Sequence, residues 1–432
     1  MTEASIGLLA MLILAFARVP LAIAMGLVGF AGLWWMRGLN PALASVTSTV
    51  YEAGFEYTLS VVPLFILMGN FVTRAGMSRE LYRAAYTLVG HFRGGLAMAT
   101  VMACAGFGSV CGSSIATAAT MTKVAYPSMK GHGYSGQLAA GAIAAGGTLG
   151  ILIPPSTILV IYGLVTETSI GKLFAAGMVP GLLAVFMMCL TISYITWRDP
   201  SSGPAAERSN WAERFDAMKD VWAVAVLFVI VMGGIYGGVF TPTEAAAVAV
   251  FYALVVGMLI YREINLASLM VVLRKSVISS AVIMFIIANA GLFAFLITRA
   301  GVPDAIGRWL EAVLQSPMLF LLGINAALFV IGMFIETSAA IIVLAPILAP
   351  VAMHFGIDPV HFGMIMVVNL ALGMITPPFG VNLFAACTVA KISLDRIIPH
   401  LLPFVLVILA CLMVITYVPA LSLTLRDLVY AK

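Results

Sequence analysis

The sequence predicts an all-α integral membrane protein built from two inverted repeats. Of its 432 residues, 62% are hydrophobic and only 9% are charged, whereas soluble domains are about half apolar and a quarter charged. Matching motifs recur in the two halves of the chain, and clusters of small, polar and proline residues interrupt the apolar stretches at corresponding places. These observations predict membrane helices that break inside the bilayer at related positions in each half.

Apolar runs occupy the whole length of the chain and predict the number of spans. They include residues 4–16, 21–35, 59–72, 221–239 and 404–418. At about 20 residues a span, the sequence predicts roughly ten to twelve membrane passes. Because apolar runs continue to the end of the sequence, we interpret the first as a retained span rather than a cleaved signal peptide.

Charge and cysteine content limit the classes of partner. The net charge of +4 is what positively charged cytoplasmic loops produce, so no nucleic-acid partner is expected. The five cysteines lie in apolar or glycine-rich stretches without a CxxC pair. They are predicted to be small packing residues rather than disulfides or transition-metal ligands.

The two halves carry the same landmarks in the same order. Residues 73–76 recur as 298–301, and residues 150–155, which end in Pro-Pro, recur in pattern as 373–378. Two single prolines repeat in the same way, Pro20 with Pro242 and Pro180 with Pro403, so all four spacings lie between 222 and 225 residues. Many transporters are built from duplicated halves. The polar stretch 198–220 is the predicted linker between them.

Basic residues predict that the halves are inverted. Four arginines are expected to crowd one loop: Arg74, Arg79, Arg83 and Arg93. With the N-terminal tail outside, three crossings place that loop inside, as the positive-inside rule requires. The linker 198–220 then also lies inside, as does a predicted loop that contains Arg262, Arg274 and Lys275. Equivalent elements therefore begin on opposite sides of the membrane.

Four clusters mark the predicted breaks. They are residues 106–117 and 153–157 in the first half and 332–338 and 376–382 in the second. An unpaired backbone group at membrane depth costs several kcal/mol, so irregular backbone persists there only when buried in protein or filled by a ligand. The clusters predict a re-entrant hairpin tip followed by an unwound helix, twice.

These breaks suit ion and anion binding. Freed carbonyls and Ser, Thr or Asn oxygens can coordinate a cation such as Na⁺, and helix N-termini direct their amides toward an anion. A Pro-Pro pair removes two backbone N–H donors and so leaves backbone carbonyls without their helical hydrogen bonds. The alternative is close helix packing by small residues, and Thr117 and Ser156 could simply bond their own helix.

A few charged or titratable residues lie in apolar surroundings. Thr241, Pro242 and Glu244 form a capping box, which favours a structural role for Glu244. Glu336, at the second predicted tip, either stabilises the tip by hydrogen bonding or takes part in cation or proton coupling. Lys123 and Lys172 are expected to snorkel to an interface. For His354 and His361 we favour a loop or interface role over metal ligation.

The motifs together resemble a known transporter family. The matching segments are GSSIATAATM after Gly108-Ser109, PPS at 154–156, TPTEAAAVA from Thr241 and ITPPFGVNLF from Ile375. They are similar to the large M subunit of tripartite ATP-independent periplasmic (TRAP) transporters, over essentially the whole chain. The resemblance implies a sodium-driven importer in the bacterial inner membrane, with a moving transport domain and a fixed scaffold that work as an elevator.

The same resemblance implies partners and a cargo. These are a small four-helix membrane (Q) subunit, a periplasmic solute-binding (P) protein and a small organic anion such as a C4-dicarboxylate or sugar acid. No four-helix segment precedes the first repeat, so the small subunit is expected on a separate chain. Na⁺ is the only metal ion expected.

The broken segments and the resemblance together give the candidate site residues. Sodium binding is predicted for Ser109, Gly112, Ser113, Ser114, Pro154, Thr337, Ser338, Gly373, Thr376 and Pro377. Substrate binding is predicted for Ser114, Pro155, Ser156, Glu336, Pro378, Gly380 and Asn382.

The expected division of the chain follows the repeats. Scaffold and arm helices occupy 1–94 and, with the linker, 179–314, while 95–178 and 315–397 form the transport domain and 398–432 the C-terminal helix.

Other functional classes remain as alternatives. The first is an ion-coupled carrier of a dicarboxylate, citrate or oxyanion that needs no binding protein. The second is an intramembrane enzyme, which the lack of an HExxH motif and of paired catalytic carboxylates disfavours. The sequence also lacks a phosphate-binding GxxxxGK[ST] loop for ATP-driven pumping and the charged rings of a channel.

Overall fold

The computed structural model describes residues 19–301, 316–378 and 380–430, together with a few residues between 7 and 17. The first predicted span, 4–16, lies largely outside the described residues, and so do the end of the predicted division 179–314 and Phe379 of the second break. Within the described part the chain forms helices and no strands. Its five cysteines are free thiols.

The first half contains ten helices in its described part. They are α1 (Leu21–Arg37), α2 (Leu39–Phe55), α3 (Val61–Arg74), α4 (Met77–Val89), α5 (Gly95–Cys111), α6 (Ser114–Gly131), α7 (Gly136–Gly147), α8 (Leu149–Leu152), α9 (Thr157–Val165) and α10 (Ile170–Arg198). A 3₁₀ turn, Tyr57–Ser60, leads into α3.

The remaining described helices begin within the linker. They are α11 (Trp211–Asp220), α12 (Trp222–Tyr236), α13 (Pro242–Ile260), α14 (Leu266–Arg299), α15 (Pro317–Gly332), α16 (Thr337–His354), α17 (Pro359–Gly373), α18 (Val381–Ala390), α19 (Leu394–Tyr417) and α20 (Ala420–Tyr430). Helices α12 and α13 each contain a π-helical segment, Val229–Gly233 and Val256–Ile260.

Helix boundaries confirm the repeat. Helices α6 and α16 begin 223 residues apart, at Ser114 and Thr337, and so do α7 and α17, at Gly136 and Pro359. One difference is local. The first half has two helices, α2 and α3, with a 3₁₀ turn between them, where the second half has the single 34-residue helix α14.

The way α14 packs shows that the halves are inverted. Asn70 of α3 donates to the Ser276 hydroxyl at 2.9 Å, whereas a β-carbon built on Gly291 would lie 3.2 Å from Thr49 Cγ2 of α2. Asn70, which follows Thr49 in the chain, thus lies beside Ser276, which precedes Gly291 in α14. Helices α2 and α3 therefore run antiparallel to α14, the helix that corresponds to them in the second half. Antiparallel equivalents are the mark of an inverted repeat.

In the described part of the chain, fewer helices have the length of a full span than the ten to twelve predicted for the whole sequence. Six helices in the described part are long and apolar enough to cross a membrane, and two bent pairs raise the number to as many as eight. Several other apolar helices have only 10–17 residues, among them α5, α15, α17 and α18. The prediction of ten to twelve treated each apolar run as a crossing, whereas several runs form short helices that end at a hairpin tip or a break.

The segments predicted to lie inside gather on one face. The Gly94 amide donates to the Gly203 carbonyl and the Ser135 amide to the Ser202 carbonyl. Tyr261, just after α13, donates a hydrogen bond to Glu80 of α4. The polar linker therefore lies against the loops that follow α4 and α6, which supports the predicted orientation.

Several local predictions need correction. Three of the four arginines expected in one loop lie in helices: Arg74 ends α3, and Arg79 and Arg83 are on α4. The second part of the linker is helix α11, which a capping box of Asn210 and Glu213 begins. The linker could not be recognised as partly helical because its polar composition suggested only solvent exposure.

Two predictions about titratable residues had different outcomes. The predicted capping box at Thr241 and Glu244 is present at the start of α13. His361, however, is not in a loop. It lies inside α17 with 3% of its surface exposed, and its Nε2 is 3.2 Å from the Thr416 carbonyl. In the described residues no group of three His, Cys, Asp or Glu side chains could hold a metal ion.

Candidate functional site

The first hairpin tip lies between α5 and α6. Gly112 ends α5 with φ at +64°, a left-handed conformation that glycine adopts without strain. Ser113 follows as the N-cap of α6 and accepts a hydrogen bond from the Ala116 amide at 3.4 Å. A β-carbon on Gly112 would lie 2.9 Å from Thr157 Oγ1, so the tip packs closely on the first broken segment.

The second tip is capped by a carboxylate. Glu336 is the N-cap of α16, and its side chain accepts hydrogen bonds from the amides of Ser338 and Ala339 at 3.0 and 3.3 Å. The Ser338 hydroxyl also donates to this carboxylate, at 2.8 Å. An acidic N-cap stabilises a helix through both its hydrogen bonds and the helix dipole. The structure therefore shows the tip-stabilising role that the sequence left as one of two possibilities.

Both predicted breaks are present. The first separates Leu152, the end of α8, from Thr157, the start of α9, and the second separates Gly373 from Val381. Each break contains its Pro-Pro pair, and both pairs have a cis peptide bond. In the second break the Asn382 amide reaches back to the Met374 carbonyl at 3.1 Å. Irregular backbone thus occurs at equivalent positions of the two halves.

Glycines bring each hairpin against its break. A β-carbon on Gly108 would lie 2.4 Å from Gly150 Cα, and one on Gly373 would lie 2.3 Å from the carbonyl carbon of Gly332. Real β-carbons do not approach other atoms so closely, so the two backbones meet only because both residues lack side chains. Gly373, a predicted sodium ligand, therefore has a separate packing role.

One partly open cavity joins the two tips and the two breaks. It has a volume of about 250 Å³, enough for a small organic molecule with a few waters. Six predicted residues line it: Gly112, Ser113, Ser114, Glu336, Thr337 and Ser338. Helices α3 and α14 complete the wall with Asn70, Lys275 and Ser279. The cavity is thus the meeting point of both halves.

Ten predicted residues do not line this cavity. They are Ser109, Pro154, Pro155, Ser156, Gly373, Thr376, Pro377, Pro378, Gly380 and Asn382. Three of them bond the backbone nearby, since the hydroxyls of Ser109, Ser156 and Thr376 donate to the carbonyls of Gly106, Ile151 and Leu372. These hydroxyls are occupied by local hydrogen bonds, as the packing alternative expects.

Asn382 reaches the first tip through a side-chain relay. Its Nδ2 donates to the Ser114 hydroxyl, which in turn donates to the Gly147 carbonyl at 2.9 Å. Ser114 and Asn382 are 3% and 0% exposed. The relay connects the second break to helices α6 and α7 of the first half, so the two halves are linked beside the cavity.

Two buried oxygens near the cavity have no hydrogen-bond partner among the described residues. They are Thr337 Oγ1 and Asn382 Oδ1, on side chains that are 1% and 0% exposed. An unsatisfied buried oxygen costs about 1–3 kcal/mol, and such groups in native proteins call for an unplaced ligand, ion or water. Hydroxyl and amide oxygens are ligands that suit a hard cation such as Na⁺.

Sequence reasoning missed Lys275. It was predicted to lie in a loop, but α14 begins at Leu266, so Lys275 falls on the helix and lines the cavity. A signal was present in the sequence. Asn265 and Ser268 form a capping box at the start of this helix, and that motif, followed by an apolar run, predicts a helix that includes position 275.

The architecture defines the class of protein. Several helices able to span a membrane, inverted halves, and paired hairpins and broken helices around one cavity are the features of a secondary transporter. The family model for the tripartite ATP-independent periplasmic transporter, DctM component, matches residues 8–421. The chain belongs to this family and is a multi-pass membrane protein of the large-permease type.

Individual relatives agree with this assignment. The chain is 44% identical over 402 residues to the C4-dicarboxylate TRAP transporter large permease protein DctM of Pseudomonas aeruginosa, covering 93% of each. It is 37% identical to the isethionate TRAP transporter permease protein DctMQ of Oleidesulfovibrio alaskensis, over 94% of this chain and 63% of that protein.

A solved structure shares the fold. The YdaH transporter of Alcanivorax borkumensis, described as having an unusual topology, superposes with a TM-score of 0.66 at 17% identity, over 88% of each chain. At this identity the likeness concerns the fold alone.

Proposed function

We propose that this chain is the sodium-coupled membrane carrier of a TRAP system in a bacterial inner membrane, importing a small carboxylate. The observation that supports this most directly is the cavity between the two hairpin tips. Helices α6 and α16 both begin at residues that line it, Ser114 and Thr337. The N-terminus of α6, which has a neutral cap, provides amide donors and a positive dipole end for an anion, whereas at α16 the Glu336 carboxylate already accepts from the Ser338 and Ala339 amides.

Sodium coupling is proposed from the buried oxygens. Thr337 Oγ1 and Asn382 Oδ1 would hold the ion together with carbonyls freed at the breaks, and the neighbouring hydroxyl of Ser114 is fixed by the relay to Asn382. A bound Na⁺ would supply positive charge beside the anion, so each would favour the binding of the other.

Carboxylate cargo and partner proteins are proposed from the family. The P. aeruginosa relative is named for C4-dicarboxylates, which are small enough for a cavity of this size. The DctMQ relative is longer than this chain, which covers 63% of it. We propose that this chain works with a small Q subunit and that a periplasmic binding protein delivers the solute.

An elevator movement is proposed from the grouping of the helices. Helix α14 packs on α1, α2 and α3, and α13 packs on α3, whereas α5 to α9 and α15 to α18 contribute the tips and breaks. The second group would move the cavity across the membrane against the first.

The test of sodium coupling uses threonine-to-valine substitutions, which keep side-chain shape and remove one oxygen. We expect Thr337→Val to raise the sodium concentration for half-maximal uptake about five- to hundredfold, the effect of losing about 1–3 kcal/mol of ligand interaction. Thr122→Val is the matched control, because this buried hydroxyl donates to the Ala118 carbonyl of its own helix at 2.6 Å. The measurement is succinate uptake into vesicles with all three proteins present.

The outcomes separate the competing explanations. If Thr337→Val and Thr122→Val show the same sodium dependence of uptake, Thr337 has a packing role and does not bind sodium. Uptake that depends on protons and not on sodium would point to coupling through Glu336. Robust uptake without the binding protein would favour a carrier that works alone.

A further inference from the structure

Lys275 places a positive charge in the wall of the cavity. It shares that wall with Ser279 and Ile283, four and eight positions later on α14, and residues at this spacing lie on one helix face. The next residue, Ser276, accepts a hydrogen bond from Asn70 of α3 at 2.9 Å. This bond fixes α14 beside α3 at the level of the cavity. The position of Lys275 along the cavity is therefore set by the helix framework and not by a loop.

Lys275 is the only basic residue among the described residues that line the cavity, and Glu336 is the only acidic one. The carboxylate of Glu336 already accepts three hydrogen bonds from Ser338 and Ala339 at the start of α16. No ion pair within 4.0 Å joins Lys275 to any carboxylate in the described part of the chain. Hydrogen bonds thus stabilise the negative charge of Glu336 within the protein, whereas no carboxylate of the described residues pairs with the positive charge of Lys275.

We propose that Lys275 is the counter-charge for a carboxylate group of the transported solute, and so selects anions over neutral molecules of the same shape. This inference rests on the proposed transport function and names the group on the protein that recognises the solute. A charge-assisted hydrogen bond from an ammonium group to a carboxylate is stronger than a neutral one. Lys275 is exposed rather than buried, so a solute carboxylate that enters the cavity reaches it without displacing a protein partner.

The position of Lys275 has a consequence for conformational change. The lysine belongs to α14, whereas the hairpin-tip residues that line the same cavity belong to the starts of α6 and α16. An anion that contacts both stabilises the arrangement in which the hairpins lie beside α14, because a ligand shifts a population by its differential affinity. Binding of the solute carboxylate therefore favours the conformation described here.

The experiment compares adjacent basic residues on one helix. Lys275→Gln removes the charge at the cavity, Lys275→Arg keeps it, and Arg274→Gln removes a neighbouring exposed charge that does not line the cavity. In vesicles containing the complete system, we expect Lys275→Gln to raise the KM for succinate about 10- to 100-fold. Lys275→Arg should recover part of the loss, and Arg274→Gln should change KM less than about twofold.

A binding measurement separates this inference from the transport proposal. Succinate should raise the thermal midpoint of the purified wild-type complex and of Arg274→Gln, but not that of Lys275→Gln. That pattern without any sodium-driven uptake would contradict the proposed function and support the role of Lys275. Equal stabilisation of all three proteins by succinate, or of none, would overturn the role of Lys275, as would an unchanged KM in Lys275→Gln. The Arg variant shows whether a failure of Lys275→Gln comes from lost charge or from misfolding.

Discussion

At the scale of single residues, glycines set how closely the hairpins approach the breaks. Gly108 contacts Gly150 in the first half, and Gly332 contacts Gly373 in the second. In each pair the backbone of one glycine occupies the space that a side chain on the other would need. The same pairing in both halves shows that the close approach is part of the repeated design. It also brings the predicted ion-binding carbonyls beside the hairpin tips.

We predict that Gly373→Ala destabilises the protein by about 1–3 kcal/mol or more, because the new methyl group would overlap the Gly332 backbone. The matched control is Gly323→Ala on the adjacent helix α15, where a β-carbon would meet nothing within 4 Å. That change should be neutral or stabilising by up to about 1 kcal/mol. Thermal unfolding in detergent distinguishes the two, and equal midpoints would show that the backbones can separate at little cost.

At the scale of elements, polar contacts tie the helices of the second half together. Asn369 of α17 donates to the Asn325 side chain of α15 at 2.8 Å, and Asn325 donates to the Thr416 hydroxyl of α19 at 3.0 Å. All three side chains are at most 2% exposed. The residue of the first half that corresponds to Asn369 is Gly146. Corresponding helices of the two halves therefore pack through different residue types, a polar amide in the second half and a glycine in the first.

The C-terminal helix α20 is held by an ion pair. Arg426 bonds Asp358, the N-cap of α17, and the two side chains are only 17% and 33% exposed. Burial raises the pKa of Asp358, but hydrogen bonds from Arg426 and from the Val360 and His361 amides outweigh it and hold the pKa below its ordinary value. A lowered carboxyl pKa means that this stabilisation is present at neutral pH and is lost as the pH falls through the folded-state pKa.

We predict that Arg426→Gln lowers the free energy of unfolding by roughly 1–3 kcal/mol at pH 7, because it leaves the Asp358 carboxylate half-buried without its partner. Asp427→Asn is the control. It breaks the other ion pair of Arg426, in which Asp427 is 60% exposed, so the expected change is below about 1 kcal/mol. Measuring both variants from neutral pH down to about pH 2 should show the difference between Arg426→Gln and the wild type shrinking as the pH falls through the lowered pKa of Asp358. A difference that stays constant with pH would contradict the ion-pair explanation.

At the scale of the whole molecule, inversion places equivalent positions on opposite sides of the membrane. Lys130 near the end of α6 and Met353 near the end of α16 are 223 residues apart and both are exposed. The polar linker lies against the loop that follows α6, through the bond from the Ser135 amide to the Ser202 carbonyl. By the positive-inside rule, the basic segments around it predict that this face is cytoplasmic.

We predict that Lys130→Cys reacts with a membrane-impermeant maleimide only from the cytoplasmic side, and Met353→Cys only from the periplasmic side. Right-side-out and inside-out vesicles make the comparison. The unsubstituted protein is the control, since four of its five cysteines are buried and the fifth, Cys189, is partly buried on α10. Labelling of both positions from one side would contradict the inverted topology.

Four features could be predicted from the sequence alone: the membrane class, the duplication, the positions of the breaks and the capping box at Thr241. These depend on composition and on short local motifs, because an apolar run requires lipid and a Pro-Pro pair interrupts a helix whatever packs around it. The resemblance of these motifs also predicted the family, and the match of the family model to residues 8–421 confirms it.

Which of the predicted residues contact one another depends on the packing of helices that are distant in the chain. Ser114 and Asn382 are 268 positions apart in the chain and bond each other, whereas Ser109 and Thr376 bond their own backbone. Lys275 and Asn70 reach the cavity because two helices from different halves pack side by side. No local pattern specifies such contacts, since they form when each half buries apolar faces that it cannot bury alone.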